Sequence, residues 1–144
     1  MEDWTHYFAS DYAHAREKFR EAARTANAAL TTFTNPGKGP EGETLQTDVA
    51  VVGDAKADRV LLLNSGVHGG EGFCGSGALV GWLRSGRYRE LPRGLKVVLV
   101  HAINPHGFAW IRRVTEDNVD LNRNFMDFSQ GLPVNENYGD LHPH

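Results

Sequence analysis

The feature that most constrains this chain is a pair of short runs, Arg59-Val-Leu-Leu-Leu-Asn64 and Leu95-Lys-Val-Val-Leu-Val-His101, each apolar on both faces of any strand it forms. Runs of that length suit central strands covered by helices on each side. Between them, from roughly Glu71 to Arg84, Phe73, Leu79, Val80, Trp82 and Leu83 mark a helix. Strand, helix, strand in that order implies a right-handed crossover. The expected class is therefore α/β, with a mixed, mainly parallel sheet flanked by helices. Open sheets of this kind bind ligands beyond the carboxyl ends of their strands. That rule selects Asn64-Ser-Gly-Val-His-Gly-Gly-Glu-Gly72 and Ala102-Ile-Asn-Pro-His-Gly107, both rich in Gly, Asn and His.

Upstream, Tyr12, Ala15, Phe19, Ala22, Ala23, Ala26 and Leu30 recur at helical spacing, which predicts a helix over about 11–30 with Asp11 as its cap. Thr34 to Gly42 holds two prolines and three glycines and reads as a loop. The period then changes to two. Leu45, Thr47, Val49 and Val51 alternate with Thr44, Gln46, Asp48 and Ala50, predicting a strand whose second set faces water. The chain is thus read as one domain, with a helical segment over 1–33 and an α/β portion over 44–144.

Composition narrows the function classes. The 144 residues are 40% hydrophobic and 23% charged, as in ordinary soluble domains, and no apolar run approaches the length of a membrane span. The net charge of −3 gives no basic field to hold nucleic acid. The one cysteine, Cys74, excludes a disulfide scaffold and has no identifiable activating base. The start of the chain lacks a signal-peptide pattern, so a reduced, cytoplasmic setting is expected. Arg84, Arg87, Arg89 and Arg93 read as a solvated connection. The clustered glycines near Gly72 fit no phosphate-loop register. Trp82, Phe108 and Trp110 read as core, with Trp110 also a candidate for a pocket wall.

Chemistry concentrates at the strand ends. His68-Gly-Gly-Glu71 puts an imidazole and a carboxylate three residues apart after a buried strand, and zinc accepts both. The glycines let the backbone fold tightly enough for both side chains to converge. Spacing alone is weak, because His14-Ala-Arg-Glu17 repeats it on an amphipathic helix where it reads as solvated surface. The distinguishing partner is Arg112-Arg-Val-Thr-Glu-Asp-Asn-Val-Asp-Leu-Asn-Arg-Asn-Phe125, with three arginines among asparagines. Guanidinium forks grip carboxylates and can steady a developing oxyanion beside a metal. Together the two sets suggest hydrolysis of a substrate that carries a free carboxylate.

His68-Gly-Gly-Glu71, then Asn104-Pro-His-Gly-Phe108, then Arg113 with Asn122-Arg123-Asn-Phe125, in that order, resemble the zinc carboxypeptidase family, and most closely a bacterial branch of unassigned function. The likeness runs from about Leu45 to the end. It implies that His68 and Glu71 are zinc ligands, that Arg113 polarises the carbonyl, and that Asn122 and Arg123 hold a terminal carboxylate. His106 stands at a turn position where the wider family has Asp. The implied cofactor is Zn2+, and the implied partner a peptide or an N-acyl amino acid with a free carboxylate. The resemblance also calls for a later His ligand and a distant Glu base that this sequence does not supply, since Asp140-Leu-His142 reads as a helix start and His142 and His144 as a frayed terminus. The chain is therefore expected to be an amino-terminal half with little hydrolytic activity, poor solubility and an exposed sheet edge. An N-acyl amino acid deacylase on the same scaffold and a non-catalytic carboxylate-binding module are the alternatives.

Overall fold

A computed structural model describes residues 3–131 and 134. The readings of Asp140, His142 and His144 lie outside the described residues. The first helix, α1 (Tyr12–Thr25), starts as expected: the Asp11 carboxylate accepts from the His14 amide at 2.8 Å. It ends earlier than its apolar stripe suggests. Asn27 adopts a left-handed φ of 53°, and the chain turns into strand β1 (Ala29–Lys38). Leu30, counted as the last rung of the helical stripe, is instead a strand residue whose side chain packs against the same core.

The segment read as a loop is thus mostly strand. β1 runs antiparallel to β2 (Thr44–Gly53), from Ala29 opposite Val51 to Thr34 opposite Gln46. The register then shifts before Lys38 meets Thr44. Pro36 falls in that irregular stretch, on a strand at the sheet's edge, where its missing N–H costs no ladder bond. The face of β2 also differs from expectation. Asp48, Ala50 and Val52 are buried, whereas Val49 and Val51 are only half covered. Burial of Asp48 is possible because Arg16 Nε and Arg20 Nη1 reach its carboxylate at 2.7 and 2.5 Å, and the Thr32 hydroxyl donates to it.

Strands β3 (Arg59–Asn64) and β4 (Leu95–His101) flank helix α2 (Gly69–Ser85) in sequence and pair in parallel, completing the crossover. The sheet order is β1-β2-β4-β3, so the architecture is α/β with a mixed sheet. Among the described strands only the β3–β4 pairing is parallel, which corrects the mainly parallel expectation: the missed β1 adds an antiparallel hairpin, and β2 also runs against β4. Phe19, Ala22 and Ala23 of α1 and Leu79, Val80 and Leu83 of α2 pack on Ala50, Val52, Val97 and Leu99, so both long helices cover one face. Among the described residues β3 is consequently not a covered central strand. It lies at the edge with Val60, Leu61 and Leu62 exposed. No helix among the described residues is long and apolar enough to cross a membrane.

Candidate functional site

The carboxyl ends of β3 and β4 are joined beyond the ladder by backbone bonds. Ile103 N donates to Ser65 O at 3.0 Å and Asn104 N to Gly66 O at 2.8 Å. Helix α3 (Pro105–Trp110) follows, with the Asn104 side chain accepting from the Gly107 amide at 2.7 Å. The loop leaving α3 then returns to the start of α2: Arg112 N donates to Gly107 O, and Gly69 N donates to Arg112 O at 2.9 Å. This three-way junction demands glycine. A Cβ on Gly69 would lie 1.8 Å from Gly107 O. The two segments that the sheet rule selects, and the arginine-bearing loop, are therefore fixed to one another through main chain.

His68 sits at the N-cap of α2, buried, with extended φ and ψ. Its Nδ1 lies 2.9 Å from Glu71 Oε2, and its Nε2 lies 2.9 Å from Asp120 Oδ1. The second oxygen of Asp120 accepts from Arg113 Nε at 2.7 Å. Asp120 also caps the short 3-10 turn Leu121–Arg123 by accepting from the Asn122 amide at 3.0 Å. Hydrogen bonds from His68 and then Arg113 hold the Asp120 carboxyl far below the usual carboxylate range, so it is ionised. A carboxylate can only accept, so Nε2 carries a proton and donates.

That assignment has a consequence at the other nitrogen. A neutral imidazole has one N–H, and Asp120 takes it. In that neutral form Nδ1 faces Glu71 with a lone pair and a metal cation between the two would join them, while a second ring proton would let Nδ1 donate to Glu71 instead. Two tetrahedral zinc ligands at ~2.1 Å from the metal stand roughly 3.4 Å apart, so the pair needs only a small adjustment to hold one. Glu71 is exposed, which leaves it free to make that adjustment. Among the described residues no group of three or more His, Cys, Asp or Glu side chains is placed to hold a metal ion. The donor set fits zinc as a two-ligand fragment of a site.

Of the residues selected from sequence, His68, Glu71 and Arg113 are brought together. Ile111 and Gly70 join them around an open cavity of about 300 Å³. Asn122 faces the same His68 and Glu71 from another side, across a cavity of about 240 Å³ that also touches Asn64 and Gly75. Arg123 is exposed, and its guanidinium donates to the Asn122 carbonyl at 3.2 Å. His106 is half-buried and stacks on Trp110 with ring centroids 6.0 Å apart. Trp110 itself is exposed rather than core, and its Nε1 donates to Lys38 O. Cys74 is free and exposed.

Two features of the site escaped the sequence reading. Asp120 lies inside the quoted arginine block but reads there as one more polar residue; its place two residues before Asn122 was the available signal. Ile111 has a left-handed φ of 52° although β-branched, a strained conformation at the junction carrying Arg112 and Arg113. No sequence pattern marks it.

The family described as "Protein of unknown function (DUF2817)" matches residues 8–144, and the chain belongs to that family. No curated protein matches. Among solved structures, a glutaminyl cyclase from Tannerella forsythia is similar at 17% identity and a TM-score of 0.47, covering 70% of this chain and 42% of that one. A Zn-dependent exopeptidase from Parabacteroides distasonis ATCC 8503 is similar at 12% identity and a TM-score of 0.43, covering 67% and 46%. The cytosol aminopeptidase of Coxiella burnetii is similar at 16% and 0.42, covering 75% and 30%. The chain spans less than half the length of each of these three proteins.

Proposed function

We propose that this DUF2817 member carries part of the active site of a zinc-dependent hydrolase of metallocarboxypeptidase type, cleaving an amide or peptide bond next to a free carboxylate. The observation that carries the reading is His68 held between two carboxylates, its Nδ1 2.9 Å from Glu71 and its Nε2 2.9 Å from Asp120. His68 Nδ1 and Glu71 would hold the metal. Zinc bound there supplies Lewis acidity towards a carbonyl and lowers the pKa of a water. The chain's own groups do the rest. Asp120 fixes the imidazole tautomer and orientation, as outer carboxylates do for metal-bound histidines. It also aligns Arg113 through Nε, which leaves the two terminal guanidinium nitrogens to face an anion or a developing oxyanion. Asn122 and Arg123 receive the substrate carboxylate.

A deacylase of N-acyl amino acids would use the same groups. A non-catalytic carboxylate-binding module is favoured by one observation, the lack of a third metal-binding side chain among the described residues. The test is zinc titration of purified chain. Stoichiometric zinc that is lost in both His68→Ala and Glu71→Ala, with the fold retained by circular dichroism, supports the hydrolase reading. Folded chain that takes up no zinc, yet binds acetyl-amino acids through Arg113 and Arg123, supports the module.

A further inference from the structure

Helix α3 ends in a way that its sequence resists. Ile111 N donates to Phe108 O at 3.3 Å and Arg112 N to Gly107 O at 2.8 Å, the paired bonds that close a helix when the chain turns left-handed. Ile111 is the residue that turns, with φ 52° and ψ 44°. Glycine is usual at such a position, because a Cβ crowds the following carbonyl, and a β-branched side chain is among the costliest occupants. Core packing does not offset that cost among the described residues. Ile111 is 68% exposed and belongs to neither core cluster. What it borders is the cavity of about 300 Å³ shared with His68, Gly70, Glu71 and Arg113. Gly70 brings no side chain to that cavity, and nothing lies within 4 Å of where its Cβ would stand. The turn is also held in place, since Arg112 O accepts from Gly69 N at the start of α2.

We propose that Ile111 is a specificity-determining residue, selecting substrates with an apolar group on the acyl side of the scissile bond. The assignment rests on the hydrolase reading above and adds the side on which selection acts. His68 and Glu71 border two cavities. Asn122, given to the substrate carboxylate, borders one of them. Arg113, given to the carbonyl, borders the other together with Ile111. A substrate that spans both puts its carboxylate-bearing residue beside Asn122, its scissile bond at His68 and Glu71, and its acyl group between Gly70 and Ile111. The polar side chains of that second cavity are already committed, Glu71 to His68, and His68 and Arg113 to Asp120. Ile111 is the apolar wall left for the acyl group. An aliphatic acyl chain, or an apolar side chain on the penultimate residue of a peptide, matches it. A strongly polar group would lose water there without gaining a partner. Strained backbone is kept where a site needs a side chain placed, and Ile111 fits that pattern.

Isothermal titration of the full chain with zinc added tests the assignment, using N-acetylglycine, N-butanoylglycine and N-hexanoylglycine. Affinity should rise about tenfold or more from acetyl to hexanoyl, as added methylenes partly covered by one apolar wall would give. In Ile111→Gly that preference should fall to about threefold or less, and Ile111→Val should retain most of it. Relief of the left-handed strain should leave the melting temperature of Ile111→Gly unchanged or higher. A flat series in the unaltered chain, with N-acetylglycine still bound and weakened by Arg123→Ala, would overturn the assignment and leave the hydrolase reading standing. Failure of folded chain to bind any of the three would overturn both. A melting temperature lowered by more than about 5 °C in Ile111→Gly would show that Ile111 is a packing residue of the whole protein, and would overturn the assignment as well.

Discussion

Asp120 and His68 are bonded at 2.9 Å through Nε2, and this contact determines what the imidazole can do. It joins residues 52 positions apart in the chain, places a proton on Nε2, and turns Nδ1 towards Glu71. The same carboxylate holds Arg113, so the proposed metal ligand and the proposed anion receptor share one anchor. Asp120→Asn keeps the shape but removes the charge and one acceptor. Zinc affinity should fall roughly 10- to 100-fold, the usual cost of losing an outer-shell partner. Isothermal titration checks it, with thermal melts showing that the fold is retained. Glu71→Ala should abolish binding outright.

Asp48 supplies a second prediction. Its carboxylate is fully buried and takes Arg16, Arg20 and Thr32. Asp48→Ala leaves two largely buried guanidinium groups facing each other without their counter-ion. Removing one partner from a buried ion network costs about 3–5 kcal/mol. Denaturant unfolding should show that loss, with zinc binding of any surviving folded chain unchanged.

His101 makes stability depend on pH. Its ring is fully buried, stacked on Phe19 at 4.9 Å between centroids, with Nε2 on the Ser76 hydroxyl at 2.9 Å and Nδ1 without a partner among the described residues. Burial pushes its pKa down from 6.5 to about 4, against the pull of Asp48. The unfolded chain therefore binds this proton first as pH falls, so the stability His101 contributes is complete above pH 6.5 and is lost between 6.5 and 4. The loss from pH 7 to 5 should be roughly 2 kcal/mol. Urea unfolding at the two pH values measures it, and His101→Phe should flatten that part of the dependence.

Gly69 tests the junction beneath the site. A methyl group there meets the Gly107 carbonyl, which is backbone and cannot step aside. Gly69→Ala should destabilise by roughly 3 kcal/mol or more. Gly70→Ala is the control. Nothing lies within 4 Å of its added Cβ, so its melting temperature should barely move.

The parts of this molecule that sequence reveals are those that local chemistry dictates. The α2 crossover was legible because β3 and β4 are apolar runs separated by a helical period, and the strand-end rule led to His68 and Glu71 through topology. β1 was not legible. Leu30 continues the spacing of α1 by coincidence, and Pro36 and Gly37 hide a strand that survives because its irregular end lies at an edge. Asp48 was assigned to the wet side of β2 because a carboxylate inside a sheet needs arginines from another element, and Arg16 and Arg20 sit in the sequence as surface residues of α1. The exposure of β3 among the described residues was hidden for a related reason: a run such as Val60-Leu-Leu-Leu63 looks the same whether something covers it or not. Asp120 could be found only once the loop after α3 had been folded back onto α2.

The central claim is that His68 offers Nδ1 to a metal while Asp120 keeps the proton on Nε2. Nitrogen-15 NMR of the histidine side chains, with His68→Gln to assign the signal, reads both nitrogens directly as zinc is added. The account predicts that Nδ1 shifts to the metal-bound range and Nε2 stays protonated. Zinc on Nε2, or a His68 signal that zinc leaves unmoved in folded protein, would contradict it.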